Sequence, residues 1–285
     1  ASNKEKKFLK NFRNYKFYKE DIINKIKLKK IIQYNSPDLI LNFAAETHVD
    51  RSISNPNNFI KTNINGVHSI LECCRELKKN LKIKLIHIST DEVYGSLNYS
   101  GSFTEGDIYR PNSPYSASKA SADHLIRAYR KTFNIPSIII HPSNNFGPYQ
   151  NPEKLMPQTI INCIKKKSIP VYGKGLQIRD WLYVKDTVTA IFQIIKKGKV
   201  GENYNISTNN EISNINLVNS ICKYFNKKEK KIKFNYKKLV NFVTDRPGHD
   251  FRYSLNNKKI CSIGWKYNKN FEKKLLETIN WYLKK

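Results

Sequence analysis

Long apolar stretches are missing from this sequence of 285 residues, which excludes several classes of protein. No run approaches the ~20 apolar residues that a membrane-spanning helix requires. The basic, polar start at residues 1–4 lacks the apolar region of a secretory signal peptide. The five cysteines are odd in number and lack metal-ligand spacing, so neither a disulfide framework nor a zinc site is expected. We therefore expect a cytoplasmic protein with no bound metal and no membrane partner.

Acidic residues are also scarce, because 23 Asp and Glu stand against 51 Lys and Arg, giving a formal net charge of +28. A charge of this size attracts nucleic acid non-specifically. Only nine of the cations are Arg, however, and the lysines are scattered along the chain, even in the basic stretch 227–238. We therefore expect a solvated basic surface and no specific nucleic-acid partner. A basic nucleic-acid-binding protein remains the alternative from another functional class.

Short apolar runs alternate with helical patterns in the first half of the chain. The sequence predicts strands at residues 15–18, 38–44, 84–89 and 137–140, and helices at residues 21–34, 57–78 and 113–133. This alternation is typical of a doubly wound α/β fold with a parallel sheet. After Pro148 the elements become shorter and loops more frequent. We expect a sheet domain at residues 1–145 and a smaller ligand-facing lobe at residues 146–285, with segments such as the helix at 184–196 packing back on the sheet.

Three of the predicted strands are followed by small and polar residues. The sequences are AAETH at residues 44–48, STDE at residues 89–92 and HPSNN at residues 141–145. Ligands of open α/β sheets bind beyond the carboxyl ends of the strands. The three segments therefore predict one site at that edge of the sheet.

Tyr115 and Lys119 form a YxxxK pair within a predicted helix, where i, i+4 spacing places both side chains on one face. An ammonium beside a phenol favours the phenolate, so Tyr115 is a candidate base near neutral pH. The motif alone is a weak signal. It gains weight because Thr90, at a predicted strand end, supplies a hydroxyl that can share a substrate proton with Tyr115.

Six segments together resemble the extended short-chain dehydrogenase/reductase family and, within it, the nucleotide-sugar 4,6-dehydratases, most of all those acting on dTDP-glucose. They are AAETHVDRS (44–52), STDEVYG (89–95), YSASKA (115–120), SNNFGPY (143–149), PEKL (152–155) and DRPGHD (245–250). The resemblance runs through nearly all of the chain. It implies a Rossmann-like NAD-binding domain over residues 1–145, a mainly substrate-binding lobe over residues 146–285, and a homodimer formed through the helices at 57–78 and 113–133.

The resemblance also implies a reaction and its catalytic residues. Tyr115, supported by Lys119, would take the proton of the C4 hydroxyl while hydride moves from C4 to NAD, and Thr90 would polarise the new ketone. Glu92 would then remove the C5 proton and Asp91 would protonate the departing C6 hydroxyl, before hydride returns to C6. The product would be a 4-keto-6-deoxy nucleotide sugar, a precursor of 6-deoxyhexoses such as rhamnose.

Two related activities remain as alternatives, a nucleotide-sugar 4-epimerase and a UDP-glucuronate decarboxylase. An epimerase of this family needs only the hydroxyl and the Tyr–Lys pair. It typically has small residues where this chain has Asp91 and Glu92. Removal of water needs both an acid and a base, and one carboxyl pair can supply both when its two members differ in environment. Asp91 and Glu92 therefore argue for the dehydratase.

Binding residues are implied position by position. The NAD contacts would be Asp21, Ile22, Phe43, Ala44, Ala45, Glu46, Thr47, Thr62, Tyr115, Lys119 and Asn145. The nucleotide-sugar contacts would be Thr47, Thr90, Asn144, Lys154, Leu155, Pro170, Val171, Tyr172, Arg179, Asn214, Asp245, Arg246, Pro247, Gly248 and His249. Arg179 and Arg246 have independent support, because Arg at these two positions of a lysine-rich chain suggests a planar fork for a diphosphate. Phe146 replaces the Tyr usual in the family.

The largest departure from the family is at the beginning of the chain. The family opens with a strand, a GxxGxxG turn and a helix that holds the NAD pyrophosphate, and no such segment is present here. Residues 15–18 resemble the family's third strand, so about one βαβ unit, on the order of 40 residues, is missing. Its strands would occupy the centre of the sheet, between residues 15–18 and 39–43. We therefore expect a fragment that is unstable in isolation and binds NAD poorly.

Overall fold

The computed structural model describes residue 9, residues 11–228 and residues 234–284. Residues 1–4 and 229–233, which the sequence analysis used as a polar start and as part of a basic stretch, lie outside the described residues. In the described part of the chain, no helix is long and apolar enough to cross a membrane. No cluster of three or more His, Cys, Asp or Glu in that part could hold a metal ion.

Nine strands and ten helices are assigned within these described ranges. The strands are β1 Leu39–Asn42, β2 Lys84–Ile88, β3 Ser137–Pro142, β4 Asn144–Phe146, β5 Ile169–Tyr172, β6 Ile178–Tyr183, β7 Asn203–Ile206, β8 Glu211–Ser213 and β9 Val240–Val243. The α-helices are α1 Lys25–Asn35, α2 Val49–Ser54, α3 Asn57–Phe59, α4 Gly66–Leu77, α5 Pro114–Phe133, α6 Leu155–Lys165, α7 Val184–Lys197, α8 Asn214–Lys228, α9 Lys258–Ser262 and α10 Phe271–Leu283. Short 3₁₀ helices span Asp91–Tyr94 and Tyr236–Leu239.

The main sheet is parallel, with strand order β1-β2-β3-β7. Alternate residues of its strands face opposite sides, as strand geometry requires. Leu85 and Ile139 pack against α1, α4 and α5, whereas Ile86, Ile138 and Ile140 pack against α7 and α9. Helices therefore cover both faces, and the predicted doubly wound α/β fold is confirmed.

The predicted strand at residues 15–18 is wrong. Instead of entering the sheet, this segment lies against α1, where the Tyr18 hydroxyl bonds Asn35 and the Lys16 ammonium lies 5.0 Å from the centre of the Tyr34 ring. β1 is consequently an edge strand, and within residues 11–228 and 234–284 no strand pairs with its outer edge. An apolar run has to find a strand partner to enter a sheet, and this run contacts a helix.

A second group of strands lies beyond the main sheet. β4 pairs parallel with β6, β6 antiparallel with β8, and β5 parallel with β9. Helices α6, α8 and α10 enclose a separate apolar core around Trp181, Leu217 and Phe225. The chain then returns to the main sheet, because β7 pairs with β3 and α7 packs on the sheet. The division at residues 145 and 146 stays a prediction.

The long helix predicted at residues 57–78 contains an irregular segment. α3 continues through a π-helical segment, Ile60–Asn65, into α4 without leaving right-handed helical backbone angles. A π segment inserts an extra residue into the helix and is often found at functional sites. Here Asn63 is turned inward and is almost fully buried.

Candidate active site

The three polar segments start side by side at one edge of the sheet. Asn42 at the end of β1 pairs with His87 of β2, and Ile88 pairs with Ile140 of β3. All three strands run in the same direction, so residues 43–48, 89–92 and 143–145 leave the sheet together. The prediction that these segments meet at the carboxyl edge is confirmed.

A tight turn holds the Thr90, Asp91 and Glu92 triplet. The Thr90 hydroxyl caps the 3₁₀ helix Asp91–Tyr94 by accepting a hydrogen bond from the Glu92 amide at 3.3 Å. The turn ends at Gly95, which has a φ of 89°, and a Cβ there would lie 2.4 Å from the Arg110 carbonyl oxygen. Only glycine fits at this position without strain.

Tyr115 reaches the same point from α5. This helix begins with Pro114 in its first turn and a reciprocal cap between Ser113 and Ser116, which places Tyr115 on the turn nearest the sheet edge. The phenol is buried, and the Thr90 hydroxyl lies near enough to lower its pKa. Distant parts of the sequence therefore bring a phenol and a hydroxyl close together.

The surroundings of Tyr115 favour the neutral phenol, whereas the sequence pattern suggested a phenolate favoured by Lys119. Burial and the nearby Glu92 carboxylate raise the pKa of the phenol, while the Thr90 hydroxyl lowers it. The Lys119 amine lies 2.7 Å from the Ile88 carbonyl oxygen and 3.2 Å from His87. Burial and a carboxylate both favour the neutral phenol, so a role of Tyr115 as a base stays a prediction.

Asp91 and Glu92 are adjacent but differ in their surroundings. Asp91 is buried, and its Oδ1 accepts a hydrogen bond from Thr90 at 3.1 Å whereas its Oδ2 has no hydrogen-bond partner. Burial and the Glu92 charge raise the pKa of Asp91 to about 8. Burial also raises the pKa of Glu92, but the guanidinium groups of Arg246 and Arg179 oppose this shift. Asp91 is therefore largely protonated at neutral pH, while two cations favour ionised Glu92.

A cavity of 390 Å³ opens beside Glu92. Its lining includes most of the positions that the sequence analysis assigned to the nucleotide sugar: Thr47, Asn144, Lys154, Leu155, Pro170, Val171, Tyr172, Arg179, Asn214, Arg246 and His249, and also Asn145. Thr90, Asp245, Pro247 and Gly248 are not part of the lining. Six lining residues have a buried polar atom without a hydrogen-bond partner, namely His48, Asp50, Asn144, Gln150, Trp181 and Arg246. Buried polar atoms are normally satisfied, so this wall suits a polar ligand.

Contacts across the cavity join its two sides. The Lys154 ammonium donates to the Thr47 carbonyl oxygen at 2.7 Å, and the Tyr172 hydroxyl donates to Asp50 at 3.0 Å. Asp50 also lies 3.6 Å from the Arg246 guanidinium. Cations and hydroxyls from the second lobe therefore face the loop that follows β1.

Comparisons with known proteins agree with this geometry. A family model described as GDP-mannose 4,6 dehydratase matches residues 2–278. A protein of Escherichia coli named dTDP-glucose 4,6-dehydratase is 45% identical over 295 residues, covering 96% of this chain and 81% of the relative. The chain belongs to the nucleotide-sugar 4,6-dehydratase family.

Solved structures of dehydratases share the fold. DesIV of Streptomyces venezuelae, a dTDP-glucose 4,6-dehydratase crystallised with NAD, has a TM-score of 0.91 and 35% identity, covering 100% of this chain and 84% of DesIV. The dTDP-glucose 4,6-dehydratase of Bacillus anthracis, in complex with NAD, has a TM-score of 0.85 and 44% identity, covering 98% of this chain and 83% of that one. The fold of this dehydratase-family chain is thus the Rossmann-like fold of enzymes that are crystallised with NAD, which agrees with the predicted cofactor.

The residues of the loop after β1 suit a dinucleotide cofactor bound beside that loop. Asn63 fixes the loop after β1, because its amide accepts from the Glu46 N–H at 2.9 Å and donates to the Glu46 carbonyl at 3.0 Å and to Ser118 at 2.8 Å. Phe43 of this loop is 58% exposed, which leaves an aromatic surface on a rigid segment. Such a surface at the carboxyl end of a parallel strand suits a flat ring.

The other positions predicted to contact NAD lie around this loop. Thr62 belongs to the same π segment as Asn63, and Ile22 packs against Gly66 at the start of α4. The Asp21 carboxylate caps a turn by accepting from the Ile23 N–H at 3.1 Å. Asn145 is fixed by the Ser143 carbonyl, at 3.0 Å, and by the Thr187 hydroxyl.

Arg179 makes contacts within the protein that the sequence did not predict. Its guanidinium donates to the carbonyl oxygens of Ile178 and Asp250 at 2.8 and 2.9 Å, and it lies 4.2 Å from the centre of the Tyr253 ring. Most of the fork is therefore engaged by protein groups. Its charge nevertheless lowers the pKa of both Asp91 and Glu92, against the larger effect of burial.

The DRPGHD segment is held by its own hydrogen bonds. Asp245 lies 2.6 Å from the His249 ring and accepts from Gln177 at 2.8 Å, while Gly248 adopts a φ of 65°. Burial and the Arg246 charge lower the pKa of His249 to about 4. His249 is therefore neutral near pH 7 and adds no charge to the cavity.

Sequence reasoning missed several residues of the site. The Tyr253 hydroxyl bonds Asp250 at 2.5 Å and lies 3.5 Å from Glu92, and Asn112 donates to the same Asp250 carboxylate at 2.6 Å. Asp250 is the last residue of the DRPGHD motif, so the motif could have indicated it as a site residue. No sequence pattern indicates Tyr253 or Asn112, because only the folded chain brings residues 112 and 250 together.

Proposed function

We propose that this chain converts dTDP-glucose to dTDP-4-keto-6-deoxyglucose by removing water across C5 and C6. The observation that carries the proposal is the difference between two adjacent carboxyl groups, of which one, Glu92, lines the cavity. Asp91 is buried next to the Thr90 hydroxyl with a raised pKa, whereas Glu92 lines the cavity near two guanidinium groups. An elimination of water needs a protonated acid and an ionised base, and the two carboxyl groups fit these two roles.

The first stage takes place at C4 of the sugar. NAD supplies hydride acceptance and return when bound, and residues 43–47, Thr62 and Asn145 would hold it. Tyr115 Oη accepts the proton of the C4 hydroxyl, and the Thr90 hydroxyl donates to the oxygen that becomes the ketone. Because burial and Glu92 raise the pKa of the phenol, the charge of Lys119 has to stabilise the phenolate.

The second stage removes water from the oxidised sugar. The C4 ketone acidifies the C5 proton, which Glu92 accepts in its ionised form and gives back to C5 when hydride is returned to C6. Asp91 gives its proton to the C6 oxygen, so the C6–O bond breaks and water departs. The protonated state of Asp91 below about pH 8 and the cations near Glu92 match these opposite roles.

The nucleotide diphosphate would lie along the cationic side of the cavity. The buried Arg246 Nε has no hydrogen-bond partner, and Lys154 reaches across the cavity. A planar guanidinium and an ammonium together suit two phosphate groups. We propose Arg246 and Lys154 as the principal diphosphate ligands, with Arg179 acting mainly through its charge.

The substrate assignment is tested by turnover in the presence of excess NAD. The chain is incubated separately with dTDP-glucose, UDP-glucose and GDP-mannose, and products are identified by mass spectrometry and NMR. We expect a product lighter by one water from dTDP-glucose and little from the other two. A C4 epimer of unchanged mass would contradict the dehydratase proposal.

Assembly and compartment are also proposed. The helices predicted to form a homodimer, α4 and α5, pack side by side over one face of the sheet, so their outer surfaces are continuous. All five cysteines are free thiols, as is common in a reducing compartment such as the cytoplasm. Analytical ultracentrifugation is expected to give twice the chain mass. A monomer at micromolar concentration would contradict the dimer.

A further inference from the structure

Behind the Tyr115–Lys119 pair lies a buried polar array that the proposed reaction does not use. The Lys119 Nζ is 3.2 Å from the Nε2 of His87, and neither residue is more than 2% exposed. One turn further along α5, the Asp123 Oδ1 lies 3.8 Å from the same His87 nitrogen and has no hydrogen-bond partner. The His87 Nε2 therefore faces an amine and a carboxylate oxygen.

Asn42 determines which nitrogen of His87 carries the hydrogen. The Asn42 Oδ1 accepts from the Ala44 N–H at 3.1 Å, so its Nδ2 is the atom 3.0 Å from the His87 Nδ1. An amide nitrogen only donates, and the His87 Nδ1 must therefore accept with its lone pair. Complete burial lowers the pKa of His87 and favours the neutral ring. The hydrogen of that ring is consequently on Nε2, next to Lys119.

This tautomer acts on the lysine. An Nε2–H can donate to the lone pair of a neutral amine, whereas an ammonium presents only hydrogens and is disfavoured beside it. We propose that Asn42 and His87 are positioning residues that set the protonation state of Lys119, so that this amine exchanges its proton near neutral pH. The inference rests on the proposed role of Lys119 beside Tyr115. It agrees with the pKa of Lys119, which burial lowers to about 8.

The groups around Lys119 are few. The titratable side chains that face it or its partners are Tyr115 and Asp123 on α5, Tyr109 in the loop before α5, His87 on β2, His141 on β3, and Asp91 and Glu92 on the 3₁₀ helix. Helices α2 and α3 contribute apolar Val49 and Phe59, the π segment contributes uncharged Asn63, and α4 contributes apolar side chains. Within the described chain, Asp123 is the charged group that raises the pKa of Lys119.

Asp123 itself remains ionised. Burial opposes its ionised form, but His141 and the Ser89 hydroxyl, which donates at 2.7 Å, lower its pKa. The array therefore has one component that disfavours the ammonium, the Asn42–His87 pair, and one that favours it, the Asp123 carboxylate. Removal of the Asn42–His87 interaction should raise the pKa of Lys119, and removal of the Asp123 carboxylate should lower it.

The test compares two variants by the pH dependence of kcat/KM. The ammonium form of Lys119 supports the Tyr115 phenolate, so activity should fall as pH rises through the pKa of Lys119. In Asn42→Ala, His87 can place its hydrogen on Nδ1 and accept from the ammonium, which should move the alkaline limb up by about one pH unit. In Asp123→Asn, loss of the carboxylate should move that limb down. Limbs that move in the same direction, or do not move, would overturn the inference.

Two further variants guard against a purely structural effect. His87→Gln offers an amide oxygen to the ammonium and should move the limb up as Asn42→Ala does, which keeps the test valid if Asn42→Ala does not fold. Asn257→Ala removes a buried amide that bonds the Ser207 carbonyl at 2.8 Å, away from Lys119, and should leave the limb in place. A shift in Asn257→Ala equal to that in Asn42→Ala would overturn the inference.

A spectroscopic measurement separates this inference from the proposed function. NMR of protein labelled with ¹⁵N-histidine shows which nitrogen of His87 carries the hydrogen, whether or not the chain turns over substrate. We expect Nε2–H in the wild type. An Nδ1–H or a charged ring near pH 7 would overturn the inference even in an active enzyme. If the chain is inactive, NMR titration of the Lys119 side chain replaces kcat/KM and should show the same opposite shifts.

Discussion

Asp91 accepts a hydrogen bond from the Thr90 hydroxyl at 3.1 Å through one carboxyl oxygen and leaves the other without a partner. The Thr90 hydroxyl also lies near the Tyr115 phenol and lowers its pKa. The residues proposed for the oxidation are therefore neighbours of the proposed acid of the elimination. A carboxyl group in this position has room to give a proton to a ligand, because its second oxygen is not engaged by the protein.

The pH dependence of stability tests the state of Asp91. Its pKa is raised by burial to about 8, so the folded state binds the proton more tightly than the unfolded chain. The stability that this group contributes is complete below an unfolded pKa of about 4 and is lost progressively as pH rises towards about 8. In Asp91→Asn the side chain is neutral at every pH. The free energy of unfolding of this variant, relative to the wild type, should therefore increase between pH 5 and pH 8.

Chemical denaturation at several pH values measures this difference. The matched control is Asp38→Asn, which changes an exposed Asp and should give a difference that does not depend on pH in this way. A pH-independent difference for Asp91→Asn would show that Asp91 is ionised throughout, against the proposed role as an acid. In activity assays the same variant should lose the elimination step.

Replacement of Asn63 tests the loop that would hold the cofactor. Asn63→Ala removes two hydrogen bonds to Glu46 and one to Ser118. Loss of a buried hydrogen-bonding side chain costs about 1–3 kcal/mol of unfolding free energy. We also expect a higher KM for NAD, because residues 43–47 lose their anchor. The control Asn65→Ala changes an exposed residue of the same π segment and should affect neither quantity, so equal effects in the two variants would contradict the anchoring role.

Replacement of Arg246 tests the diphosphate site. Arg246→Lys keeps the positive charge but removes the planar fork whose Nε lacks a partner in the ligand-free chain. We expect the Kd for dTDP to rise about tenfold, the usual effect of losing one charge-assisted hydrogen bond. Isothermal titration calorimetry measures it. Arg51→Lys, at an exposed Arg paired with Glu153, is the control, and an unchanged Kd in Arg246→Lys would exclude Arg246 as a principal ligand.

The sequence could predict that the proposed catalytic residues lie at one edge of the sheet, because regular structure places them. Thr90, Asp91 and Glu92 follow a strand, and Tyr115 lies in the first turn of a capped helix, so the geometry of a parallel sheet brings them to one edge. Their roles remain proposals. Each of these sequence patterns is local, and the fold brings the residues that carry them close together.

Other features depend on contacts that no local pattern encodes. The strand at residues 15–18 was wrong because these residues contact α1 instead of a strand. The engagement of Arg179 by the Asp250 carbonyl and the Tyr253 ring joins segments about 70 residues apart. Asn63 turns inward only because the helix contains a π segment. Such pairings are set by tertiary packing, so a single sequence gives little signal for them.

The central claim is that Glu92 removes the C5 proton of the oxidised sugar. The most direct measurement follows deuterium incorporation from D₂O into C5 of dTDP-glucose by NMR, for the wild type, Glu92→Gln and Asp91→Asn in the presence of NAD. The account predicts that Glu92→Gln still oxidises C4, seen as reduced-cofactor absorbance, but incorporates no deuterium at C5. Asp91→Asn should exchange C5 without releasing water. Exchange at the wild-type rate in Glu92→Gln, with normal product formation, would contradict the account.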